Sequence, residues 1–287
     1  MKGQKSGETG GRLFLVATPI GNLEDISLRA LRVLKEADVI ACEDTRQTQK
    51  LLRHYQIQKK LISYHEHNEM TQAPELVIEL EQGARVALVS DAGMPVISDP
   101  GHRLVALCLR HKIPVVPVPG ATALVAALAA SGMPSEEFLF VGFLPSRAGE
   151  RRRKLAELAP QTRTMVFYEA PHRLADMLHD ALDVLGNRPA VVAREVTKLH
   201  EEFSRGSLEE LGAEFTRRAP RGEITVLIGA ANNAAPRPAA AQVPLTQRVE
   251  EIMREHNVDQ KAALKQAARE RGLSKRDAYR DLLKHRI

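Results

Sequence analysis

At 287 residues, 44 % of them hydrophobic, the chain is long enough for two ordinary domains with a substantial core, and its mean hydropathy of -0.25 reads as soluble and globular. Its two cysteines, Cys42 and Cys108, exclude a disulfide framework and suit a reducing, cytoplasmic compartment. The most apolar stretch, residues 113–130, is broken by Pro114, Pro117, Pro119 and Gly120, which excludes a membrane span there.

A net charge of +5, with a pI near 9.3, fits an anionic partner, most commonly nucleic acid, as well as it fits a soluble protein that is merely basic. No apolar stretch follows the basic start, so no secretory leader is expected, and residues 1–11, polar and rich in Gly and Lys, read as a loose arm. From residue 12 short runs rich in Val, Ile and Leu predict buried strands at 13–17, 39–41, 61–63, 86–89 and 115–118. Between them lie helical spacings such as Leu28-Leu31-Leu34 and Leu76-Leu80. The alternation implies βαβ units and a parallel sheet, an α/β domain over 12–132 that closes on a small-residue helix at 121–130.

Ser131-Gly132-Met133-Pro134 punctuates the chain, and a second α/β domain is expected over 133–231. Its strands fall at 138–143, 165–168, 191–193 and 224–228, its helices at 173–185 and 208–217, and 200–206 reads as an antiparallel excursion. Residues 232–243 are a linker by composition. The tail, 244–287, is helical and basic: 11 Lys and Arg against 7 Asp and Glu give it a net +4, most of the chain's excess. Ser274 caps a helix there after a break at Gly272, and a helix–turn–helix remains open.

In open parallel sheets ligands bind beyond the carboxyl ends of the strands, so the loops there carry the chemistry. The first, 17–26 (ATPIGNLEDI), has a stiffening proline and a glycine that admits a ligand to the backbone; it is not a GxGxxG fingerprint, and it also reads as an ordinary turn capped by Ser27. The second, 41–46 (ACEDTR), sets two acids and an arginine at a strand end, where Asp44 equally suits a helix N-cap. The third, 89–101 (VSDAGMPVISDPG), is far longer than a turn needs. Its acid followed by small residues can hold the hydroxyls or amine of a nucleoside ligand, with Met94 and Ile97 as apolar walls, and a helix opens at Pro100. The fourth, 117–123 (PVPGATA), leaves a helix N-terminus open, where Thr122 could join the free N–H groups, or else serves close helix–sheet packing. FYEAPHR (167–173) and REVTK (194–198) set acids, arginines and a lysine at further strand ends, and RAGERRRK (147–154) is either a solvated helix face or a phosphate-binding track.

ATPIGNLEDIS, ACEDTR, SDAGMPVISDPG, VPGATA, FYEAPHR and REVTK, in this order, closely resemble the bacterial ribosomal RNA small-subunit methyltransferase I family, over about residues 13–230. Its members are 16S rRNA (cytidine(1402)-2′-O)-methyltransferases, a branch of the tetrapyrrole methylase superfamily. The resemblance implies two αβα domains with S-adenosylmethionine bound in the cleft between them, a small C-terminal helical domain and a homodimer. It implies cofactor contacts from Pro19, Asp91, Gly93, Met94, Ile97, Ala121 and Thr122, and from Tyr168, Glu169 and Ala193 of the second domain. Ser90 and Ala92 around the acid, and TPIGN where tetrapyrrole enzymes carry a glycine-richer turn, argue for the ribosomal branch over a porphyrin-like substrate.

The reaction so implied is in-line attack of a ribose 2′-oxygen on a sulfonium methyl, which requires no metal. The protein aligns the atoms and supplies a base. Glu43, Asp44, Glu169 and Glu195 are the candidate bases, Glu43 and Glu169 favoured. Arg46, Arg173 and Lys198 are candidate phosphate clamps, and Arg151, Arg152, Arg153, Lys154, Lys275 and Arg276 extend the expected RNA contacts. With aromatics at only 4 % and no Trp, base stacking on a sheet is not expected, and the partner is read as structured 16S rRNA or the small ribosomal subunit. Two rivals remain: a methyltransferase of the same fold acting on a tetrapyrrole or a protein side chain, and a non-catalytic RNA-binding protein with a methylase-like shell.

Overall fold

The computed structural model describes residues 10–230, 249–250, 252–254 and 259–270. Expectations for the arm before residue 10, the linker, Ser274, Lys275 and Arg276 lie outside the described residues. The chain divides into two compact units, Met1–Ala235 and Pro236–Ile287.

Five strands, β1 (Arg12–Val16), β2 (Val39–Cys42), β3 (Lys60–Ser63), β4 (Arg85–Val89) and β5 (Val115–Val118), form a parallel sheet in the order β3-β2-β4-β1-β5. Alternate side chains pack on opposite faces, as the period of a strand requires. Leu13, Val39, Ala41, Val86 and Leu88 meet Leu76 and Leu80 of α3 (Glu69–Glu81) and Leu104 of α4 (His102–Arg110) on one face. Phe14, Val16, Ile40 and Val89 meet Val33 and Leu34 of α1 (Leu28–Glu36) and Leu52 of α2 (Thr45–His54) on the other. The entries to α1 and α2 are fixed by Ser27 and Asp44, whose side chains accept from the N–H groups of Ala30 and Arg46. α4 begins two residues later than the sequence suggests, at His102, because Gly101, with φ 138°, is still outside helical geometry.

The second sheet comprises β6 (Phe138–Phe143), β7 (Thr164–Glu169), β8 (Pro189–Arg194), β9 (Glu202–Ser207) and β10 (Ile224–Ile228), in the order β6-β7-β10-β8-β9. It is mixed, not parallel throughout: β10 runs antiparallel to both β7 and β8. The cause is the short connection from β8 to β9, which leaves no room for a crossover helix. β9 therefore returns antiparallel, and every later element is reversed. One face carries α6 (Ala148–Leu158), α7 (Leu174–Leu185) and α8 (Leu208–Arg217) over Met165, Phe167, Val192 and Val226. The other face, Val166, Val191, Ala193 and Leu227, is covered by Ile20 and by Ala127 and Leu128 of α5 (Ala123–Ser131). Elements that close the first sheet thus form a wall of the second, and a cleft follows from that packing.

In the unit Pro236–Ile287, Ala263, Leu264, Ala267 and Ala268 lie on one face of α9 (Gln260–Glu270) and bury with Val249 and Ile252. No helix among the described residues is long and apolar enough to cross a membrane.

Candidate functional site

The loops that leave β1 and β4 are pinned to each other. Thr18 and Gly93 exchange backbone hydrogen bonds of 2.9 and 3.1 Å, and the Thr18 hydroxyl donates to the Ser90 carbonyl at 3.1 Å. The β4 loop then passes through two residues of positive φ, Val96 (77°) and Ser98 (61°). For β-branched Val96 this is a true outlier, costing about 1–3 kcal/mol. Its side chain packs towards Gly101, where an added Cβ would come within 2.8 Å of Val96 and 2.7 Å of Leu88, so only glycine fits. Ile97 and Asp99, on either side of Ser98, border a cavity of about 380 Å³.

Asp91, Gly93, Met94 and Thr122 complete the side of the cavity that belongs to the first sheet; Tyr168 and Thr225 close it from the second. The Tyr168 hydroxyl accepts the N–H of Leu124 at 3.2 Å, so a residue of the second sheet caps the first turn of α5. Phe140 and Phe143 hold the Tyr168 ring at centroid distances of 5.1 and 5.7 Å.

The cavity is acidic and lacks a countercharge. Among the described residues, no lysine or arginine ion-pairs with Glu43, Asp91 or Asp99. Burial pushes Asp99 up to about 7, and the carboxylates of Glu43 and Asp91 add to the shift. Burial, then Asp91, likewise raise Glu43 against the opposing pull of His65. Burial raises Asp91, opposed by the Asp44 N–H it accepts at 3.2 Å. Among the described residues no group of three or more His, Cys, Asp or Glu side chains is arranged to hold a metal ion. Carboxylates left so close together, between apolar walls of Met94 and Ile97, suit an organic cation.

The other expected residues sort themselves by their partners. Asp44 caps α2 and ion-pairs with Arg46 at 3.0 Å, which occupies its carboxylate, while the Arg46 side chain stays largely exposed. Glu195 is bound by Lys198 at 2.8 Å and by the Glu223 N–H at 2.9 Å; burial works to raise it, yet these partners hold it below the usual carboxylate range. Glu169 borders the cavity, but its carboxylate is wholly buried behind the wall. It accepts the Ala170 N–H at 2.8 Å and ion-pairs with Arg173 at 3.2 Å, which leaves no surface for a reacting hydroxyl. Arg173 itself donates to the carbonyls of Leu144 and Pro145.

Arg151 is buried against Asp180 at 2.6 Å and cannot meet a phosphate; Arg152 is shared between Asp180 and Asp183, and Lys154 pairs with Glu157. Arg153 is exposed on α6, across the second sheet from the cavity. Ile20, Thr122 and Thr225 border the cavity, next in sequence to Pro19 and Ala121 and across the strand pair from Ala193, which is fully buried. Asp99 is a lining residue that the motifs do not single out; its signal in the sequence is a second acid in an already acidic loop. Thr225 was detectable as the one polar residue of the buried strand ITVLI.

Residues 12–212 match the family model of Tetrapyrrole (Corrin/Porphyrin) Methylases. The chain is 50 % identical over 274 residues to the ribosomal RNA small subunit methyltransferase I of Halalkalibacterium halodurans, covering 94 % of this chain and 93 % of that one. The protein of the same name from Bacillus subtilis is 41 % identical over 273 residues, with the same coverage of both chains. Uroporphyrin-III C-methyl transferase from Thermus thermophilus, solved with S-adenyl homocysteine, superposes with a TM-score of 0.55 at 25 % identity, over 77 % of this chain and 98 % of that one.

Proposed function

The chain belongs to the tetrapyrrole methylase family, in its ribosomal RNA small subunit methyltransferase I branch, and from that premise we propose that it methylates the ribose 2′-oxygen of cytidine 1402 in 16S rRNA. S-adenosylmethionine is the methyl donor. When bound it supplies a methyl group activated on a sulfonium. The single observation that supports its seat is the cavity bounded by Asp91, Asp99 and Tyr168, whose uncompensated carboxylates complement a ligand carrying both a sulfonium and an ammonium.

In this reading Asp99 and Asp91 hold the cationic parts, Met94 and Ile97 sandwich the apolar ones, and Thr122 and Tyr168 offer hydroxyls. Glu43 is the base that takes the 2′-hydroxyl proton at its carboxylate. Of the four acids first considered, it alone is without a cation or cap, and burial beside Asp91 raises its proton affinity towards the working range of a base. Alignment of oxygen, methyl and sulfur provides the rest of the rate, which for well-oriented groups is worth several kcal/mol. A cytoplasmic site of action and a homodimer are parts of the same proposal, and light scattering of the purified chain tests the second.

The experiment is transfer of labelled methyl from S-adenosylmethionine to small subunits taken from cells lacking this gene. Nuclease digestion and mass spectrometry then locate the product. A single ribose-methylated cytidine in the decoding region is the expected result. Label on a base, or on a porphyrinogen in preference to RNA, overturns the proposal.

A further inference from the structure

Beside the cofactor cavity lies a second one of about 460 Å³, inside the range of roughly 300–1,000 Å³ usual for ligand pockets. Ile20, Asp91, Ala92 and Glu223 border both, so the two are separated by a single layer of residues. Their chemistry differs. The second is faced by one side of α2, where Gln47, Lys50 and His54 fall three and four positions apart and so project together. The Lys50 ammonium reaches the Gln47 side-chain oxygen at 3.3 Å and ion-pairs with no carboxylate among the described residues.

The opposite wall comes from the second half of the molecule. The stem of Lys198 lies over Gly21, where an added Cβ would stand 2.2 Å from its Cγ, and the Lys198 ammonium bridges Glu195 at 2.8 Å and Glu223 at 3.3 Å. The Tyr55 hydroxyl donates to the Leu23 carbonyl and ties the end of α2 to the loop that carries Gly21. The walls are therefore braced by contacts across the cavity's own mouth, of which only Glu223 is shared with the cofactor cavity.

We propose that this second cavity is the subsite for the target ribonucleotide, with its phosphate held by Lys50 and its ribose turned to the shared wall at Asp91 and Ala92. A phosphate is repelled from the cofactor cavity by Asp91 and Asp99, but on α2 meets the Lys50 ammonium, which among the described residues has no carboxylate partner. Ribose hydroxyls, which donate, meet the carboxylates of Asp91 and Glu223 on the shared side. The proposal rests on the reading of the chain as an RNA ribose methyltransferase.

The test compares Lys50→Glu, Lys50→Arg and Gln47→Trp in the full chain, with Lys35→Glu on the exposed side of α1 as control. It reads KM and kcat on small subunits at several salt concentrations, and the Kd for S-adenosylmethionine by calorimetry. Lys50→Glu is expected to raise KM about tenfold or more and to lower the slope of log KM against log salt by about one. Lys50→Arg stays within threefold of the unaltered enzyme. Gln47→Trp, which fills the cavity from an exposed position, lowers kcat/KM about tenfold. The cofactor Kd stays within twofold in all of them. Unchanged KM in both Lys50→Glu and Gln47→Trp, with transfer by the unaltered enzyme intact, overturns the subsite alone. No transfer to RNA by the unaltered enzyme overturns the parent reading, and the subsite with it.

Discussion

Four acids near the edge of the first sheet and four near the edge of the second differ in the partners they are given. Glu169, Glu195, Glu202 and Glu223, from the second sheet, each sit against a cation: Arg173, Lys198, Arg194 with Arg218, and Lys198 again. Of Glu43, Asp44, Asp91 and Asp99, from the first, only Asp44 has one among the described residues. Both walls contain paired residues of positive φ two apart, Val96 and Ser98 on one side, Glu195 and Thr197 on the other, so each is a strained loop held by its surroundings. In the second wall the strain delivers a carboxylate to a lysine; in the first it delivers Ile97 and Asp99 to a cavity. A buried acid with its cation is a structural element, whereas a buried acid without one is a site in want of a ligand.

The sharpest way to break this comparison is to remove a cation from the second wall. Arg173→Met strands the wholly buried Glu169 carboxylate and is expected to cost about 3–5 kcal/mol in urea unfolding, most of it regained in the double variant with Glu169→Gln. A loss below about 1 kcal/mol would mean that the second wall does not depend on its pairs. Next in size is Glu43→Gln, which is expected to lower kcat about 100-fold or more while leaving the cofactor Kd within threefold. If instead the Kd moves and kcat does not, Glu43 belongs with Asp91 and Asp99 as a cofactor ligand.

Part of this contrast was readable from residues alone. The strands declare themselves because both faces of each sheet are covered, so VIAC, RVALV and ITVLI are almost wholly apolar. The family motifs locate the cavity to within a residue. What they miss is the last step: Pro19 and Ala121 each lie one position from a lining residue in an irregular loop, and Ala193 is the cross-strand partner of Thr225, which borders the cavity. Pairing is the other blind spot. Asp44 with Arg46, or Glu195 with Lys198, is local and could be suspected. Arg151 with Asp180, 29 residues apart, brings α6 to α7 and exists only once both helices pack. That no described lysine or arginine pairs with Asp99 depends on residues far apart in the chain, and no window of sequence contains it.

Asp99→Asn keeps the shape of the first wall and removes its most perturbed charge. It is expected to weaken S-adenosylmethionine binding about 30-fold, in line with the several kcal/mol lost when a desolvated charge pair is broken. The free protein should be no less stable for it at pH 8, and stability lost there together with affinity would mean that Asp99 is structural.

The smallest effect follows from the same group. In the free protein Asp99 titrates near 7, above its ordinary value, so its protonated form is favoured by the fold; that stabilisation is complete in acid and is lost as pH rises through about 7. A cationic ligand needs the ionised form. The two preferences oppose each other below 7 and cease to compete above it. Affinity is therefore expected to rise about tenfold between pH 6 and pH 8 and then to level, with release of a proton on binding that is largest below pH 7. Calorimetry in two buffers of different ionisation heat measures both quantities. The dependence should flatten in Asp99→Asn and persist in Glu195→Gln, whose carboxylate already has its lysine. A Kd that is constant from pH 6 to pH 8 in the unaltered enzyme would show that the first wall is not the uncompensated one, and would remove the physical ground for placing the cation there.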